Sequence, residues 1–182
     1  MRMGAGAPEA RRRKEEALAG LFETHYERIV RYIALRVGAR GEAEDLASQV
    51  FLRAVEALDA YQERGLPMQA WLFRIAHNMA VDFLRRNSHR RTVSIEGLAI
   101  AAATSPEGAV ALRLELEAAA AAMAQLTPAQ RDVLALRVLG GLTSEQAGKV
   151  LGKSGGAVRE MQSSALQSLR RLLERGSEAR HV

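Results

Sequence analysis

Polar and aromatic side chains in the segment AWLFRIAHNMAVDFLRRN, residues 70–87, recur at a spacing that solvation alone does not explain. At about 100° per residue, the apolar side chains fall on one face suited to packing, namely Leu72, Ile75, Ala76, Met79, Ala80 and Phe83. A second row, about 80° wide, forms what we call the polar stripe: Trp71, Arg74, Asn78, Asp82 and Arg85. A solvated face is usually mixed, so an indole, an amide and two guanidiniums in one row indicate a function beyond solvation.

A second set of polar side chains lies near the C-terminus, where the sequence predicts a helix-turn-helix. Gly148, Gly152 and Val158 stand at offsets zero, four and ten, which is the spacing of that motif. Its second helix, capped by Ser154 and running to about Leu173, has a buried stripe of Val158, Met161, Ala165, Leu169 and Leu172. The opposite side carries Arg159, Glu160, Ser163, Ser164 and Gln167. Short polar groups and an arginine near a helix N-terminus suit the major groove of DNA, where they reach base edges.

Three helices are predicted to position the polar stripe. The first covers Glu15–Val37, with the apolar side Leu18, Leu21, Phe22, Ile29, Val30 and Ile33. The second runs from about Glu42 to Tyr61, with Leu46, Val50, Ala54, Leu58 and Tyr61 at helical spacing. GARG at 38–41 and ERGLP at 63–67 separate the three helices. We expect one helical bundle over residues 15–90, preceded by a tail in which the basic run Arg11–Lys14 is solvated.

The remaining chain predicts a linker and a second helical domain. Residues 91–104 have no helical stripe and little charge, and Ser105 with Pro106 then indicates a helix start. A cap signal at Thr127 precedes a helix over about 128–139, and Thr143 with Gln146 forms a capping box before the helix-turn-helix. The sequence therefore predicts an all-α protein with two small helical domains, 15–90 and 105–175, joined by a flexible linker, 91–104.

Composition excludes several classes of site. Among 182 residues there is no cysteine, which excludes disulfides, thiolate zinc sites and a cysteine nucleophile. The four histidines are not paired at ligand spacing, so we expect no metal and no cofactor. Aromatic residues make up only 4% of the chain, so the core must consist mainly of aliphatic side chains, which favours helices. The net charge of +5 fits a polyanionic partner but is weak evidence alone.

The sequence also lacks the signals of an enzyme or a membrane protein. It has no metal cluster, no nucleophile–base pair and no phosphate-binding loop, so we expect neither catalysis nor a small-molecule substrate. The basic N-terminal segment is not followed by an apolar stretch, which argues against a signal peptide. No window reaches the eighteen or so apolar residues of a membrane span. We therefore expect a cytoplasmic protein without membrane insertion.

These motifs together resemble the extracytoplasmic-function (ECF) sigma factors of bacterial RNA polymerase, which have two domains. The resemblance covers residues 18–88 and 113–173. AEDLASQVF, Ala43–Phe51, is similar to the polymerase-binding helix of the family, and WLFRIAHNMAVDFLRR is similar to its promoter-melting and −10-reading helix. The terminal helix-turn-helix resembles the −35-reading domain. The resemblance implies a factor that binds core polymerase, recognises a two-part promoter and nucleates melting.

The resemblance also implies roles for individual residues. Asn78 would read an unpaired base, Trp71 would stack at the edge of the opened duplex, and the phosphates would be held by Arg74, Arg85 and Arg86, with Asp82 on the same face. The −35 contacts would come from Ser154, Gly156, Arg159, Glu160, Ser163, Ser164 and Gln167. The polymerase contacts would come from Glu44, Asp45, Ser48 and Gln49. The family usually has glutamine at position 48, and an aromatic residue and an arginine at 163 and 164. An anti-sigma factor is a further candidate partner.

Other interpretations remain open from the sequence. A free-standing helix-turn-helix regulator would explain residues 127–173 but would leave the polar stripe without a purpose. A pure interaction protein would bind without supporting transcription. Within the helices, Trp71 could be a core anchor, Asp82 could pair with Arg86 along the helix, and Glu44 and Asp45 could be acids that favour a helix N-terminus.

Overall fold

The computed structural model of the protein describes residues 6–38, 40–63, 65–87 and 118–178, and every regular element in these ranges is helical. The helices are α1 (Gly6–Val37), α2 (Arg40–Glu56), α3 (Met68–Arg86), α4 (described over 118–125), α5 (Pro128–Leu134), α6 (Ser144–Leu151) and α7 (Gly155–Glu178). We call α1–α3 the N-terminal bundle and α4–α7 the C-terminal helices. The all-α fold with two groups of helices is as predicted. The predicted linker, 91–104, and the helix start at Ser105 and Pro106 lie outside the described residues.

The apolar faces that helical periodicity predicted are buried or partly buried in the N-terminal bundle, except at Phe22. Ile29, Ile33, Val50 and Leu72 are fully buried between the three helices. Phe22, which the pattern places in the same face of α1, is 48% exposed. Its ring lies 4.9 Å from that of Phe51 and therefore covers the edge of the core from outside. Leu18, one turn earlier, and Ile29, two turns later, are both buried, so periodicity predicted the direction of Phe22 but not how closely the neighbouring helices pack at that point of α1.

α1 begins earlier than the sequence predicted. The helix already includes residues 6–14, so the basic run Arg11–Lys14 is not a tail. Arg12 and Arg13 form exposed ion pairs along the helix, but Arg11 pairs with Asp59 at 2.6 Å and Lys14 donates hydrogen bonds to the chain after α2. The first part of α1 is held by contacts with a segment almost fifty residues later in the chain. A pattern of neighbouring residues cannot predict such contacts.

The capping signals of the C-terminal helices are confirmed. Thr127 and Thr143 each accept a hydrogen bond from the backbone three residues later, and Gln130 and Gln146 return the bond to the cap residue. The predicted helix over 128–139 is α-helical only to Leu134. Residues Ala135–Leu139 form a π turn, in which the amide of Gly140 donates to the carbonyl of Ala135 at 2.9 Å.

The helix-turn-helix forms as the glycine spacing predicted. Gly152 ends α6 with a φ of 65°, a left-handed conformation that glycine adopts without a steric penalty. At Gly148 a β-carbon would lie 2.5 Å from the carbonyl oxygen of Lys153, so only glycine permits this close approach of the turn to α6. Ser154 caps α7 by accepting a hydrogen bond from the amide of Ala157.

The two groups of helices pack directly against each other. Their buried residues form one continuous apolar cluster that includes Ile33 and Leu72 on one side and Leu136 and Val158 on the other. The side chain of Gln69 donates to the carbonyl of Gly140 at 2.6 Å, and Lys149 of α6 donates to the carbonyl of Gly65, just before α3. We call this packing the closed arrangement.

A polar cluster lies inside the closed arrangement. Arg36 of α1 forms an ion pair with Asp132 of α5, and the two side chains are only 9% and 11% exposed. His77 Nδ1 lies 2.9 Å from the hydroxyl of Tyr32 and 3.2 Å from the guanidinium of Arg36. Because both neighbours can donate, Nδ1 acts as the acceptor and the imidazole is neutral, with its proton on Nε2. Burial lowers the pKa of His77, and so does the positive charge of Arg36, against an opposing effect of Asp132.

This cluster predicts a specific pH dependence of stability. The pKa of His77 in the folded chain is below its ordinary value of 6.5, so on acidification the unfolded chain takes up the proton first. The free energy of unfolding should therefore fall as the pH drops through 6.5 and level off below the folded pKa. His77→Gln keeps an acceptor for Tyr32 and Arg36 but does not titrate, so its stability should depend less on pH. Urea unfolding at a series of pH values measures the difference, and equal slopes for both proteins would contradict the prediction.

Candidate nucleic-acid interface

The structure brings the polar stripe together on one open face of α3. Arg74, Asn78, Asp82, Arg85 and Arg86 are all exposed along four successive turns of the helix. The opposite face is buried through Ala70, Leu72, Phe73, Ala76 and Ala80. α3 is thus held by its apolar side, and among the described residues its polar side is exposed to an approaching ligand. Guanidiniums and an amide in this arrangement can hold phosphates and hydrogen-bond a base edge.

Trp71 lies at the N-terminal end of this face and is half-buried. Its ring packs on that of Tyr61, with the centroids 4.8 Å apart and the planes inclined by 40°. Tyr61 is itself buried, and its hydroxyl donates to the carbonyl of Leu66 at 3.1 Å. Burial, together with the nearby carboxylate of Glu63, raises the pKa of Tyr61, so the hydroxyl stays protonated and donates. Trp71 is half-buried and packs on Tyr61, and its stacking on DNA stays a prediction.

The ion pair on α3 differs from the one that the sequence suggested. Asp82 pairs with Arg85 at 3.3 Å, whereas Arg86 donates from Nε to the backbone carbonyl of Asp82. Both members of the pair are well exposed, and such a pair contributes little to stability. Arg85 can therefore exchange the carboxylate for a phosphate at small cost. Val81, which the sequence analysis assigned to neither face, is 40% exposed beside the stripe and adds an apolar position to it.

α7 presents the second predicted face. Arg159, Glu160, Ser163, Ser164 and Gln167 are exposed on one side of the helix, and Gly156 is half-buried near its start. Arg159 pairs with Glu145 of α6 at 2.7 Å, and this hydrogen bond lowers the pKa of Glu145. The hydroxyl of Ser154 is used for capping α7, and that of Ser164 accepts a hydrogen bond from Gln130 at 3.4 Å. Both members of the pair of Arg159 with Glu145 are exposed, so Arg159 can exchange this carboxylate for DNA at small cost, and Ser163 and Gln167 are exposed on the same face.

The predicted polymerase-binding residues lie on an exposed side of α2. Asp45, Ser48 and Gln49 are exposed, but Glu44 is half-buried and pairs with Arg40 at 2.6 Å. The hydroxyl of Ser48 donates to the carbonyl of Glu44, which leaves Asp45 and Gln49 as the freer polar groups.

Sequence reasoning missed the apolar part of this side of α2. Leu52 and Val55 are 63% and 51% exposed, one and two turns after Ser48, and Phe22 of α1 is exposed as well. Contiguous exposed apolar side chains are typical of protein–protein contacts. The sequence did contain a signal for Leu52 and Val55. Their helical spacing from Asp45 and Ser48 places both on the polar side of α2 and not in its buried stripe.

The described part of the chain lacks a metal-binding cluster and a membrane-spanning helix. Those residues contain no group of three or more histidine, cysteine, aspartate or glutamate side chains that could hold a metal ion. No helix within the described ranges is both long and apolar enough to cross a membrane.

Two family models match the chain, one for each set of helices. Residues 21–90, which include α2 and α3, match Sigma-70 region 2. Residues 122–171, which include α5, α6 and most of α7, match Sigma-70 region 4. The polar stripe lies in the first match and the exposed face of α7 in the second.

Curated relatives and a solved structure agree with these matches. The ECF RNA polymerase sigma factor SigD of Mycobacterium tuberculosis is 34% identical over 176 residues, which are 93% of this chain and 82% of SigD. The ECF RNA polymerase sigma factor BldN of Streptomyces coelicolor is 34% identical over 160 residues, and the chain spans 61% of the length of BldN. The structure of CnrH in complex with the cytosolic domain of CnrY covers 92% of this chain and 94% of CnrH, with a TM-score of 0.68 and 27% identity.

Proposed function

Since the chain belongs to the ECF sigma factors of RNA polymerase, we propose that it directs core enzyme to two-part promoters and nucleates melting of the duplex. The observation that carries the proposal is the presence of two separate exposed faces suited to DNA, the polar stripe on α3 and the polar face of α7. A free-standing helix-turn-helix regulator needs only the second of these and is not favoured. The domains we assign are residues 15–90 for core binding and −10 recognition, 91–104 as linker, and 105–175 for −35 recognition.

In this function α3 acts on the −10 element. Asn78 offers an amide donor and acceptor to an unpaired base, and Trp71 stacks at the edge of the opened duplex. Arg74, Arg85 and Arg86 hold phosphates on the same face, and Asp82 orients Arg85. Opening each base step costs a few kcal/mol, which binding of the captured strand offsets. No covalent chemistry is required, so we propose that the chain is not an enzyme and uses no cofactor.

The other two faces bind the upstream element and the polymerase. Arg159, at the start of α7, reads the −35 duplex with Ser163 and Gln167, while Glu160, Ser164 and Gly156 line the same face. Asp45 and Gln49, with the exposed Leu52 and Val55, dock on core polymerase, so that an apolar centre is bordered by polar groups. Because polymerase and promoter DNA are cytoplasmic, we assign the protein to that compartment.

Reading both elements requires the closed arrangement to open. Elements named −10 and −35 are separated by roughly 25 base pairs, or about 85 Å along the duplex at 3.4 Å per base pair. In the closed arrangement Lys149 of α6 touches Gly65, immediately before α3. Two DNA-reading helices in such close packing cannot lie on both elements, so the C-terminal helices must leave the N-terminal bundle when holoenzyme engages a promoter.

We propose that an anti-sigma factor binds the chain and keeps it from core polymerase. The solved CnrH structure, which covers most of this chain, is a complex with the cytosolic domain of a second protein, CnrY. The same exposed apolar side chains that suit polymerase would also suit such a partner, and the two would then compete.

Reconstituted transcription tests the proposed function. With core polymerase and a library of promoter sequences, transcripts should start at defined sites only when the chain is present. Asp45→Arg should weaken assembly with core enzyme by about tenfold, because it reverses an exposed charge among the polar groups that border the apolar docking surface of α2. Glu16→Arg is the control: it also reverses an exposed acidic charge, but on α1, and this variant should assemble normally. Specific DNA binding without any dependence on polymerase would instead indicate a free-standing regulator.

A further inference from the structure

The first turns of α1 reach the connection between α2 and α3 through two basic side chains. Lys14 Nζ donates to the carbonyl of Tyr61 at 2.8 Å and to that of Leu58 at 3.3 Å, and it lies 5.9 Å from the centre of the Tyr61 ring. Arg11 pairs with Asp59 at 2.6 Å. The carbonyls of Leu58 and Tyr61 follow the end of α2. At the C-terminal end of a helix the carbonyls lack intrahelical donors, so a positive charge is favourable there.

Tyr61 links this anchor to α3. Its backbone carbonyl accepts from Lys14, its hydroxyl donates to the carbonyl of Leu66, and its ring packs 4.8 Å from that of Trp71. Trp71 lies in the first turn of α3, with its amide bonded to the carbonyl of Pro67 at 2.9 Å. Lys14, Tyr61 and Trp71 therefore form a continuous chain of contacts from the N-terminal part of α1 to the exposed end of the polar stripe.

The core of the bundle does not explain this anchor. The buried stripe of α1 starts at Leu18, so Lys14 lies one turn before it. Of the four consecutive basic residues, Arg12 and Arg13 make exposed pairs within their own helix, and only Arg11 and Lys14 turn to the connection after α2. Lys14 donates to the backbone that carries Tyr61, whereas Arg11 bonds the exposed carboxylate of Asp59 and also pairs with Glu15 of its own helix.

We propose that Lys14 and Tyr61 are positioning residues for promoter melting, which hold the indole of Trp71 in the orientation that stacks on the edge of the opened duplex. The inference rests on the proposed function, which gives Trp71 its stacking role. An aromatic ring that is already fixed loses little conformational freedom when a base stacks on it, so its affinity for the opened strand is higher. Lys14 and Tyr61 need not touch DNA for this effect.

The experiment uses the single tryptophan of the chain as a reporter. Lys14→Met keeps an unbranched side chain but removes the donor, and Tyr61→Phe keeps the ring but removes the bond to Leu66. Arg12→Met is the matched control, because it removes a positive charge of the same basic run whose partner is Glu16. In the free protein, acrylamide should quench the fluorescence of Trp71 more strongly in the first two variants than in Arg12→Met. Lys14→Arg, which can still donate to both carbonyls, should resemble the wild type.

Melting by holoenzyme is the second readout. On a duplex promoter labelled with a fluorescent base in the −10 element, Lys14→Met should open the strands about tenfold more slowly, a change equivalent to 1.4 kcal/mol. Assembly with core polymerase and binding of the −35 duplex should not change. If Lys14 acts through Trp71, adding Lys14→Met to Trp71→Ala should cause no further loss.

The outcomes separate this inference from the proposed function. If Trp71→Ala slows melting but Lys14→Met changes neither quenching nor melting, the positioning role is wrong and the proposed function stands. If Lys14→Met lowers only the unfolding temperature, or slows melting equally in the Trp71→Ala background, its role is purely structural and the inference fails. If Trp71→Ala itself melts promoters normally, the stacking role of Trp71 fails, and the positioning role fails with it.

Discussion

Alanine in place of Asn78 should abolish most promoter-specific transcription while leaving the folded chain and its assembly with core polymerase intact. Asn78 is exposed in the middle of the polar stripe, away from the buried face formed by Leu72 and Ala76. Alanine is the better helix former, so the bundle should be at least as stable. A lost pair of hydrogen bonds to a base is worth about 1–3 kcal/mol, so transcription should fall about ten- to a hundredfold. Run-off transcription on a duplex promoter measures the loss.

A pre-opened template and a matched variant make this result specific. On a promoter with a bubble at the −10 element the defect should persist, because the captured base is still not read. Full recovery on the bubble would instead assign Asn78 to melting. Gln125→Ala removes another exposed helical amide, in α4, and should transcribe normally. Normal transcription by Asn78→Ala on the closed duplex would mean that the stripe is only a solvated face.

Replacing Asp132 by alanine should open the closed arrangement. The variant leaves the guanidinium of Arg36 buried between α1 and α5 without its carboxylate. Removal of one partner of a buried ion pair destabilises by about 3–5 kcal/mol, because an uncompensated charge remains in a dry environment. Separation of the C-terminal helices from the N-terminal bundle returns Arg36 to water without unfolding either group. We therefore expect an increased radius of gyration in small-angle X-ray scattering, two unfolding transitions in urea, and unchanged helical content.

An apolar replacement of both partners provides the control. Arg36→Met with Asp132→Leu removes the two charges together and keeps side chains of similar volume, so this double variant should stay closed. Asp132→Ala should also bind core polymerase more tightly than the wild type. In the wild type most molecules are closed, and only the separated fraction can bind, whereas the variant is already separated. Unchanged scattering and a single unfolding transition for Asp132→Ala would show that the ion pair does not hold the two groups together.

The sequence by itself determined the features that depend on neighbouring residues in the chain. Helical periodicity predicted the buried face of α3 and the opposing polar stripe, because side-chain direction repeats with the helix itself. The cap at Thr127, the capping box at Thr143 and the glycine turn at Gly152 formed as predicted, because each needs only a few consecutive residues. The all-α fold and the helix-turn-helix follow from these local rules, whereas the family came from the resemblance of the motifs to ECF sigma factors.

The tertiary structure decided which of these faces are covered and by what. Helical spacing gives the direction of Phe22 and Leu52 on their own helices, but only the position of the neighbouring helices leaves them exposed. Lys14 meets Tyr61 across 47 residues and Arg36 meets Asp132 across 96. A local pattern contains no information on such pairs, because an ionic or hydrogen-bonded contact between distant residues exists only after the helices have packed. The anchor beneath Trp71 and the buried pair of the closed arrangement are therefore properties of the folded chain.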